Sequence, residues 1–540
     1  MDTKALRQKI LDLAIHGKLV PQNPDDEPAS VLLEKIRLEK KNMVKEGKLK
    51  PKDVKNDTII FRGDDNLHYE KFQDGTVKCI EDEIPFEVPA GWEWCRMQTL
   101  TCKIGAGSTP TGGNSVYSRT GIKFIRSQNV YEDGLVLDDI AYISKEINNK
   151  KSGSIVKAKD ILLNITGGSI GRSTLVPDDF DIGNVNQHVL IVRLVDLELR
   201  KFTHLTLTSP HIQKQIIERQ VGSGRGGLSA TTFSSFLMPI PPLSEQERIQ
   251  KRVNEYLNLL FSVNNDKNSL KCIIEFTKNK VLNLAIQGKL VSQNPDDEPA
   301  SVLLKRIRTE KDELIKSGKI KRDKKESVIF RGDDNSYYEK FADGNIDCID
   351  EEIHFKLPNG WECSRIKSIV KKDIKRGKAP KYTENSNTMV FAQKCNRKKG
   401  EIDMTLAQYL DENALSKYPA EEFMQDGDIL INSTGTGTLG RVGIYHSSDN
   451  IERKNIVPDS HVTTIRSYEE IQAAYVYIFL KSIQPYLENH GEGSTNQKEL
   501  KPDTLKSLII PIPPCSEQQK IISIVKKAID SLEEIETVLM

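Results

Sequence analysis

The feature that most constrains this chain is a long internal repeat. Residues 22–33 recur without a single change as residues 293–304, and shorter pieces recur in the same order around them. These pieces are Phe61-Arg62-Gly63-Asp64-Asp65-Asn66 at 330–335, Gly91-Trp92-Glu93 at 360–362, and Pro239-Ile240-Pro241-Pro242 at 511–514. The period is about half of the 540 residues, far longer than a solenoid unit. The chain is therefore a duplicated domain arrangement.

The similarity between the two copies is uneven. Residues 1–92 and 241–361 match their counterparts closely, whereas residues 93–238 and 363–510 share only a skeleton. A constant frame thus carries two different inserts. We infer that the frame contacts something identical twice, while the inserts contact two different things.

Composition excludes several classes of protein. Hydrophobic residues make up 37% and charged residues 29% of the chain, which is typical of a soluble globular protein with exposed helices. No apolar signal-peptide core follows Met1, and the most apolar stretch, residues 475–480, is too short to cross a bilayer. We therefore expect a cytoplasmic protein.

Charge and cysteine content add two further expectations. The formal net charge is only +1, so any basic surface for nucleic acid must be local. The eight cysteines include no Cys-x-x-Cys pair, and their spacing fits no zinc site. We expect free thiols and no bound metal.

The frame contains a predicted coiled-coil helix. From Ile249 through Val253 and Leu260 to Leu284, apolar residues step by four and three, with lapses at Lys267 and Thr277. Before it, Ser244-Glu245-Gln246-Glu247 reads as a capping box, and residues 516–519 repeat it. At about 1.5 Å per residue, roughly 40 residues give a rod of roughly 60 Å.

The second copy of this helix is split between the two ends of the chain. The helix that stops at Met540 continues the seam through Ile521 and Val525, and Leu6, Ile10 and Leu13 align with the rest of the central helix. We predict that two long helices pair antiparallel with pseudo-twofold symmetry, and that the termini lie close together. An ordinary helical hairpin without a spacer role remains the alternative.

Each insert contains a strand, a Gly-rich turn and a second strand. Residues 160–172 correspond to residues 428–441, and Val442-Gly443-Ile444-Tyr445 follows as a strand. Gly435-x-Gly437-x-x-Gly440 matches the dinucleotide fingerprint by letter, but that fingerprint requires a following helix. Two interpretations stay open: a hairpin that faces a backbone phosphate, or a purely structural turn.

Polar loops in the inserts are candidates for contact with bases or phosphates. Arg, Lys, Asn and Gln read guanine and adenine edges, and loops on a scaffold usually carry such contacts. In the first insert the candidates are Ser108, Thr109, Arg126, Gln128, Asn129, Asn164, Thr166, Arg172, Asn186, Gln187 and Arg225. In the second they are Lys375, Arg376, Lys378, Gln393, Lys394, Asn396, Arg397, Asn432, Thr434, Arg441, Ser494, Asn496 and Gln497. The densest basic stretch, residues 371–381, is the best candidate for phosphate contact.

No pattern indicates catalysis by this chain. A Walker-type loop and an Asn-Pro-Pro-Tyr-like tetrapeptide are absent from the sequence. The nuclease-like pattern of Pro24-Asp25 with Glu39-x-Lys41 lacks its Lys in the second copy, where Asp312 stands instead. His188 and His461 match across copies but have no triad partners in sequence, so we expect structural strand histidines.

Three motifs, repeated in the same order in both halves, carry a family resemblance. They are the approach Ile84-Pro85-Phe86-Glu87-Val88-Pro89 to Gly91-Trp92-Glu93-Trp94, the Asp-Ile-Leu…Thr-Gly…Gly-Arg strand and turn, and Pro239-Ile240-Pro241-Pro242-Leu243-Ser244-Glu245-Gln246. Over essentially its full length the chain resembles the specificity subunit of type I restriction–modification enzymes. The second half has His354 where the first has Pro85, and Cys515 where the first has Leu243. Both changes lie in the frame motifs rather than in the loops that are candidates for DNA contact.

The resemblance implies a role and a set of partners. Each insert would be a target recognition domain for one half of a bipartite, asymmetric site on double-stranded DNA, and the helices would fix the unread spacer. Two copies of a modification subunit would hold S-adenosylmethionine and methylate adenine, and a restriction subunit would use ATP and Mg to translocate and cleave. This chain would be non-catalytic and bind no cofactor itself.

The resemblance and the repeat together predict a mixed α/β fold. We expect two α/β recognition domains at 86–240 and 354–512, separated by two long antiparallel coiled-coil helices. The conserved regions would be 1–85, 241–353 with the spacer helix, and the C-terminal helix 513–540. Two other classes remain: an enzyme with a divergent site, and a coiled-coil adaptor whose inserts bind proteins. The sequence leaves the DNA target and the spacer length open.

Overall fold

The computed structural model describes residues 2–221, 226–318, 320, 326–353, 356–493 and 498–539. The chain divides into two compact units, residues 1–266 and 267–540. The boundary falls inside the long central helix Leu243–Ile286, which confirms the predicted central helix. Within the described part of the chain, no helix is long and apolar enough to cross a membrane.

The frame of the first unit consists of helices and a small antiparallel sheet. The N-terminal helix begins where the Asp2 carboxylate accepts the amide N–H groups of Lys4 and Ala5 at 2.9 and 3.0 Å. Its Leu11 and Ile15 pack on Ile249 and Val253 of the central helix. The elements are the helices Thr3–Ile15, Ala29–Lys45 and Pro51–Val54 and the strands Ile59–Arg62, His68–Lys71 and Val77–Cys79.

The first insert is closed at its base by one strand pair. Glu93–Arg96 pairs antiparallel with Leu237–Ile240, so the chain enters and leaves the insert side by side. The buried Arg96 guanidinium bonds Glu70 at 2.6 Å and Glu83 at 2.8 Å, which ties the frame sheet to this pair. The insert therefore stands on a fixed base, as expected for a variable module in a constant frame.

Two four-stranded sheets form the first insert. Strand Ile161–Asn164 is buried on both faces: Ile161 and Leu163 pack toward helices, and Leu162 packs with Ile191 in a second core. This two-sided burial follows from the period of two in a strand. In spatial order the sheets are Ser173–Leu175, Ile161–Asn164, Val189–Leu194 and Thr101–Ala106, and Ile155–Val156, Gly183–Val185, Ile122–Ile125 and Ala141–Ile143.

The remaining elements of the first insert cover these sheets. Its helices are Met97–Leu100, Lys145–Lys150, Arg200–Thr208, Pro210–Glu218 and Ala230–Ser234, and a small hairpin pairs Val130–Tyr131 with Gly134–Leu135. The predicted strand, Gly-rich turn and strand at 160–175 are confirmed, since Ile161–Asn164 pairs antiparallel with Ser173–Leu175.

The second unit repeats this plan. Its frame has the helix Ala300–Lys316 and the sheet Ser327–Arg331, Tyr337–Phe341 and Ile346–Cys348, and Glu362–Arg365 with Ile509–Ile512 closes the insert. The insert sheets are Lys375–Arg376, Val462–Ile465, Ile429–Asn432 and Val442–Ile444, and Tyr382–Thr383, Gln408–Leu410, Thr388–Phe391 and Asn455–Pro458. Its helices are Ala473–Ser482, Gln484–Asn489, Pro502–Ser507 and the C-terminal helix Cys515–Leu539.

The C-terminal helix runs antiparallel to the end of the central helix. Lys278 Nζ lies 3.2 Å from Glu536, whereas Gln293, just past the central helix, donates to Glu517 at 3.1 Å. As the residue number rises on one segment it falls on the other, so the predicted antiparallel pairing is confirmed here. Ile521 and Val525 are buried together with Leu282 and Ile286 of the central helix, while Leu270 is 37% exposed.

The predicted capping box is wrong in its geometry. The central helix begins at Leu243, one residue before Ser244, so Ser244 lies inside the first turn. The Gln246 side chain donates to the Pro241 carbonyl at 2.9 Å instead, and Gln518 does the same to Pro513 at 3.0 Å in the second copy. The Gln side chain therefore links the first turn to the Pro-Pro segment by donating to a carbonyl, a contact different from a serine cap, which would accept from a backbone N–H.

A buried tryptophan–glutamate hydrogen bond stabilises the same corner in both copies. The Trp92 indole N–H donates to Glu245 at 2.9 Å, and Trp361 donates to Glu517 at 2.9 Å. Burial raises the pKa of the Glu245 carboxyl group, although Trp92 and a second donor, Gln22, oppose that rise. This corner joins the two ends of the frame within each unit.

Candidate nucleic-acid interface

In the first insert, loops predicted from sequence converge on one cleft. Ser127, Thr166 and His188 line it, and Gln220 and Gly226 flank the same space. The loop at 107–110 joins them, because the Thr109 amide donates to Gln187 Oε1 at 3.1 Å. Five separate stretches of sequence thus build one polar surface of the insert.

A glycine allows two of these loops to pack closely. A Cβ on Gly107 would lie 1.8 Å from the Val185 carbonyl oxygen, so only glycine fits without moving the backbone. Gly377 holds the corresponding position in the second insert, where a Cβ would lie 2.1 Å from the Pro458 carbonyl oxygen. Both glycine amides donate across the sheet, to Val189 and Val462, at 3.3 and 3.0 Å.

The Gly-rich turn is tied to the neighbouring turn by a threonine and a histidine. Thr166 Oγ1 lies 2.5 Å from His188 Nδ1, and Thr434 Oγ1 lies 2.6 Å from His461 Nδ1. Each histidine lies in the turn immediately before a strand, so the prediction of a strand position is wrong by one residue. The matching letters in the two copies therefore reflect a matching contact.

Five predicted contact residues are buried, which corrects the prediction of direct DNA contact for them. Their side chains hold the loops together from inside and present no free surface to DNA. The five are Asn129, Asn164, Asn186, Asn396 and Asn432, none more than 7% exposed. Asn164 donates to the Ser127 carbonyl at 2.8 Å, and Asn432 donates to the Gln393 carbonyl at 3.1 Å.

Several predicted contact residues are held by neighbouring groups. Arg126 donates to the Asp139 carbonyl at 3.1 Å, and Gln128 donates to the Asp139 carboxylate at 3.3 Å. The Arg172 guanidinium lies 5.0 Å from the centre of the Tyr131 ring. In the second insert Arg397 bonds Asp403 at 2.6 Å, and Arg441 donates to the Gly437 carbonyl at 2.8 Å.

The densest basic stretch is largely neutralised by acids of its own insert. Lys375 lies 2.8 Å from Glu422, and Arg376 lies 3.0 Å from Glu499. The Glu422 carboxylate accepts from Lys375 and raises the pKa of that ammonium. Lys378 donates to the Lys417 carbonyl oxygen and lies over the Tyr418 ring. Residues 371–381 therefore present less free positive charge than the sequence suggests.

The other predicted residues divide into two groups. Ser108 accepts from Lys151 Nζ at 2.6 Å, and Lys394 is exposed without an ion-pair or hydrogen-bond partner in the described chain. Arg225, Ser494, Asn496 and Gln497 lie outside the described residues. For the exposed candidates, contact with DNA stays a prediction.

Sequence reasoning missed residues that complete the surface. Gln220 and Gly226 line the cleft, Lys151 reaches Ser108, and Asp139 binds Arg126 and Gln128. No local motif marks Lys151 or Asp139, because each comes from a separate loop that only the folded sheet brings close.

Comparison with known proteins gives a consistent result. A family model described as the type I restriction modification DNA specificity domain matches residues 91–271 and 358–539. The EcoEI type I restriction enzyme specificity subunit of Escherichia coli is 27% identical over 595 residues, covering 97% of this chain and 88% of that protein. The Escherichia coli EcoAI specificity subunit is 30% identical over 428 residues, covering 68% of this chain and 62% of that protein.

One solved structure supports the fold. It comes from work on complex assembly and conformational transition of the type I R-M system, and it covers 84% of this chain and 94% of its own. The TM-score is 0.53 at 15% identity, so the likeness concerns the fold alone.

Proposed function

Since the chain belongs to the family of type I restriction–modification DNA specificity proteins, we propose that each of its inserts reads one half of a bipartite, asymmetric DNA site. The frame would set the unread spacer between the two halves. One observation carries this proposal: both inserts make the same threonine–histidine contact between corresponding loops, yet surround it with different side chains.

The shared parts and the different parts suit different tasks. The Thr166–His188 and Thr434–His461 pairs are the same in both inserts, as a contact to the uniform phosphate backbone requires. The exposed side chains around them differ, as direct reading of two different base sequences requires. Since the net charge is only +1, attraction to DNA would come from these local groups.

The chain would work with partner subunits. The EcoEI and EcoAI relatives are named as specificity subunits of type I restriction enzymes. By analogy, the two matching frame corners around Trp92 and Trp361 would belong to surfaces that each recruit one modification subunit. Those subunits would hold S-adenosylmethionine, and a restriction subunit would use ATP and Mg.

The chain itself would be non-catalytic. Each matched histidine bonds the hydroxyl group of a threonine in the neighbouring turn, and we assign this pair to loop positioning.

The experiment separates specificity from catalysis. The purified chain, the modification subunit and their complex would each be incubated with S-adenosylmethionine and unmethylated genomic DNA. We expect methyl transfer to adenine by the complex alone. Transfer by the chain alone would make it an enzyme, and a complex that methylates without sequence preference would favour the adaptor alternative.

A further inference from the structure

One turn occupies the same place in both inserts although its sequence differs. In the first insert a short 3-10 turn, Ser127–Asn129, follows strand Ile122–Ile125. In the second, Gln393–Cys395 follows strand Thr388–Phe391. Each of these strands pairs in parallel with the strand that precedes the histidine turn.

Hydrogen bonds fix the alignment of the two turns. Asn164 donates to the carbonyl of Ser127, and Asn432 donates to the carbonyl of Gln393. Both asparagines end the buried central strand and are fully buried. Ser127 therefore corresponds to Gln393, and Gln128 corresponds to Lys394.

The middle residue is the exposed one in each turn. Ser127 and Gln393 are half-buried, Asn129 and Cys395 are buried, and Gln128 and Lys394 are exposed. The backbone beneath them is held by the asparagine bonds and, in the first insert, by Asn129, whose Oδ1 accepts from the Arg126 amide at 2.9 Å. A protruding side chain on a fixed turn beside the cleft is suited to reading rather than to packing.

We propose that this position is a specificity-determining position in both inserts, with Gln128 reading an adenine and Lys394 reading a guanine through the major groove. A glutamine amide donates and accepts, which matches N7 and the N6 amino group of adenine, whereas lysine only donates, which matches O6 and N7 of guanine. The inference rests on the proposed function and assigns a base to one turn in each half-site.

The present contacts of the two side chains allow this role. Gln128 Nε2 lies 3.3 Å from the Asp139 carboxylate, whose side chain is 93% exposed, so the hydrogen bond is readily exchanged for a base. Lys394 forms no ion pair or hydrogen bond within the described residues. Neither side chain has to break a buried contact before it meets DNA.

The experiment exchanges the two side-chain types, glutamine and lysine, between the two positions. Gln128→Lys and Lys394→Gln would each be co-expressed, as full chains, with the modification subunit in a host without DNA methylation, and the methylated motif would be sequenced. We expect Gln128→Lys to change one adenine to guanine in one half of the motif, and Lys394→Gln to change one guanine to adenine in the other. In each case the untouched half is the internal control.

Further variants keep the test decisive. Gln128→Ala removes the donor and acceptor without adding charge and is expected to relax one motif position to several bases. Lys398→Gln makes the same change as Lys394→Gln at an exposed residue four positions further on, and its motif is expected to stay unchanged.

The outcomes separate the inference from the proposed function. An unchanged motif in Gln128→Lys, Gln128→Ala and Lys394→Gln overturns the inference while leaving the proposed function intact. Loss of all methylation by Gln128→Ala at an unchanged melting temperature also overturns it, because the residue would then support binding without reading. A wild-type chain that yields no two-part motif would contradict the proposed function itself.

Discussion

Thr166 Oγ1 lies 2.5 Å from Nδ1 of His188, a hydrogen bond that joins the Gly-rich turn to the turn before strand Val189–Leu194. Thr434 and His461 form the same bond in the second insert, although the surrounding sequences have diverged. Because both inserts keep this contact although their sequences differ, we expect it to serve a feature that both half-sites share. We infer that this pair positions the loops against the phosphate backbone.

Removing this bond should weaken DNA binding without changing the recognised sequence. Thr166→Val keeps the shape of the side chain but removes the hydroxyl group, and a hydrogen bond of this kind contributes about 0.5–1.5 kcal/mol. We expect affinity of the assembled complex for its target to fall roughly twofold to tenfold. Fluorescence anisotropy on labelled DNA measures this, with Thr166→Ser as the control that keeps the hydroxyl group. A changed methylation motif in Thr166→Val would contradict the assignment.

Gly107→Ala should disrupt recognition of one half-site. The added methyl group would collide with the Val185 carbonyl oxygen, and relieving such overpacking costs about 1–3 kcal/mol. We expect binding to drop by about tenfold or more, and Gly377→Ala should act in the same way on the other half. Gly105→Ala is the matched control, because a Cβ there meets no atom within 4 Å. Equal binding by Gly107→Ala and Gly105→Ala would show that the loops do not depend on this close approach.

Arg96→Met should destabilise the first unit strongly. Arg96 is the partner of the buried Glu70 carboxylate, and removing one partner of a buried ion pair costs about 3–5 kcal/mol. Chemical denaturation measures the loss in free energy of unfolding. Arg7→Met, which removes the exposed ion pair with Glu132, is the control and should cost at most about 1 kcal/mol. Similar losses in the two variants would refute the structural role of Arg96.

The same pair predicts a pH dependence. Burial alone would raise the pKa of Glu70, but hydrogen bonds from Arg96 and Thr58 outweigh it, so the pKa is lowered from its ordinary value of 4.5. A lowered folded-state pKa contributes stability above pH 4.5, and that contribution is lost as the pH falls through the folded-state pKa. The difference in unfolding free energy between wild type and Arg96→Met should therefore shrink in acid. A difference that grows as the pH falls would contradict this.

The long helix should act as a ruler. Deleting residues 260–266 removes one heptad and keeps the seam in phase, and it shortens the helix by about 10 Å at 1.5 Å per residue. At about 3.4 Å per base pair this corresponds to roughly three base pairs. We expect a methylated motif with both halves intact and a shorter spacer. Intact halves with an unchanged spacer would support the simple helical hairpin instead.

Much of the fold could be predicted from sequence because the repeat supplies two examples of each element. The strand and Gly-rich turn at Ile161–Asn164 and Ile429–Asn432, and the central helix with Ile249 and Ile274 in its seam, follow from periodicity. The first turn of the helix does not, because the helix begins one residue earlier than the capping-box letters predict, at Leu243, and places Ser244 inside the turn.

The candidate site was harder to predict. Polar loop residues look alike in sequence whether they face solvent or turn inward, so the buried Asn164 and Asn432 could not be told from the exposed Gln128 and Lys394. The free positive charge of residues 371–381 is likewise lower than the sequence predicts. The acids that pair with these cations, such as Glu422 and Glu499, come from distant positions in the chain. Loop contacts across a sheet leave no local pattern.

The most direct test of the central claim is methylation mapping after exchange of one insert. Residues 93–238 would be replaced by the corresponding insert of the Escherichia coli EcoEI relative, and the chain would be co-expressed with its modification subunit in a methylation-free host. Sequencing of modified adenines should show a two-part motif in which one half changes while the other half and the spacer are retained. A motif unchanged by the exchange, or changed in both halves, would contradict the assignment of one half-site to each insert.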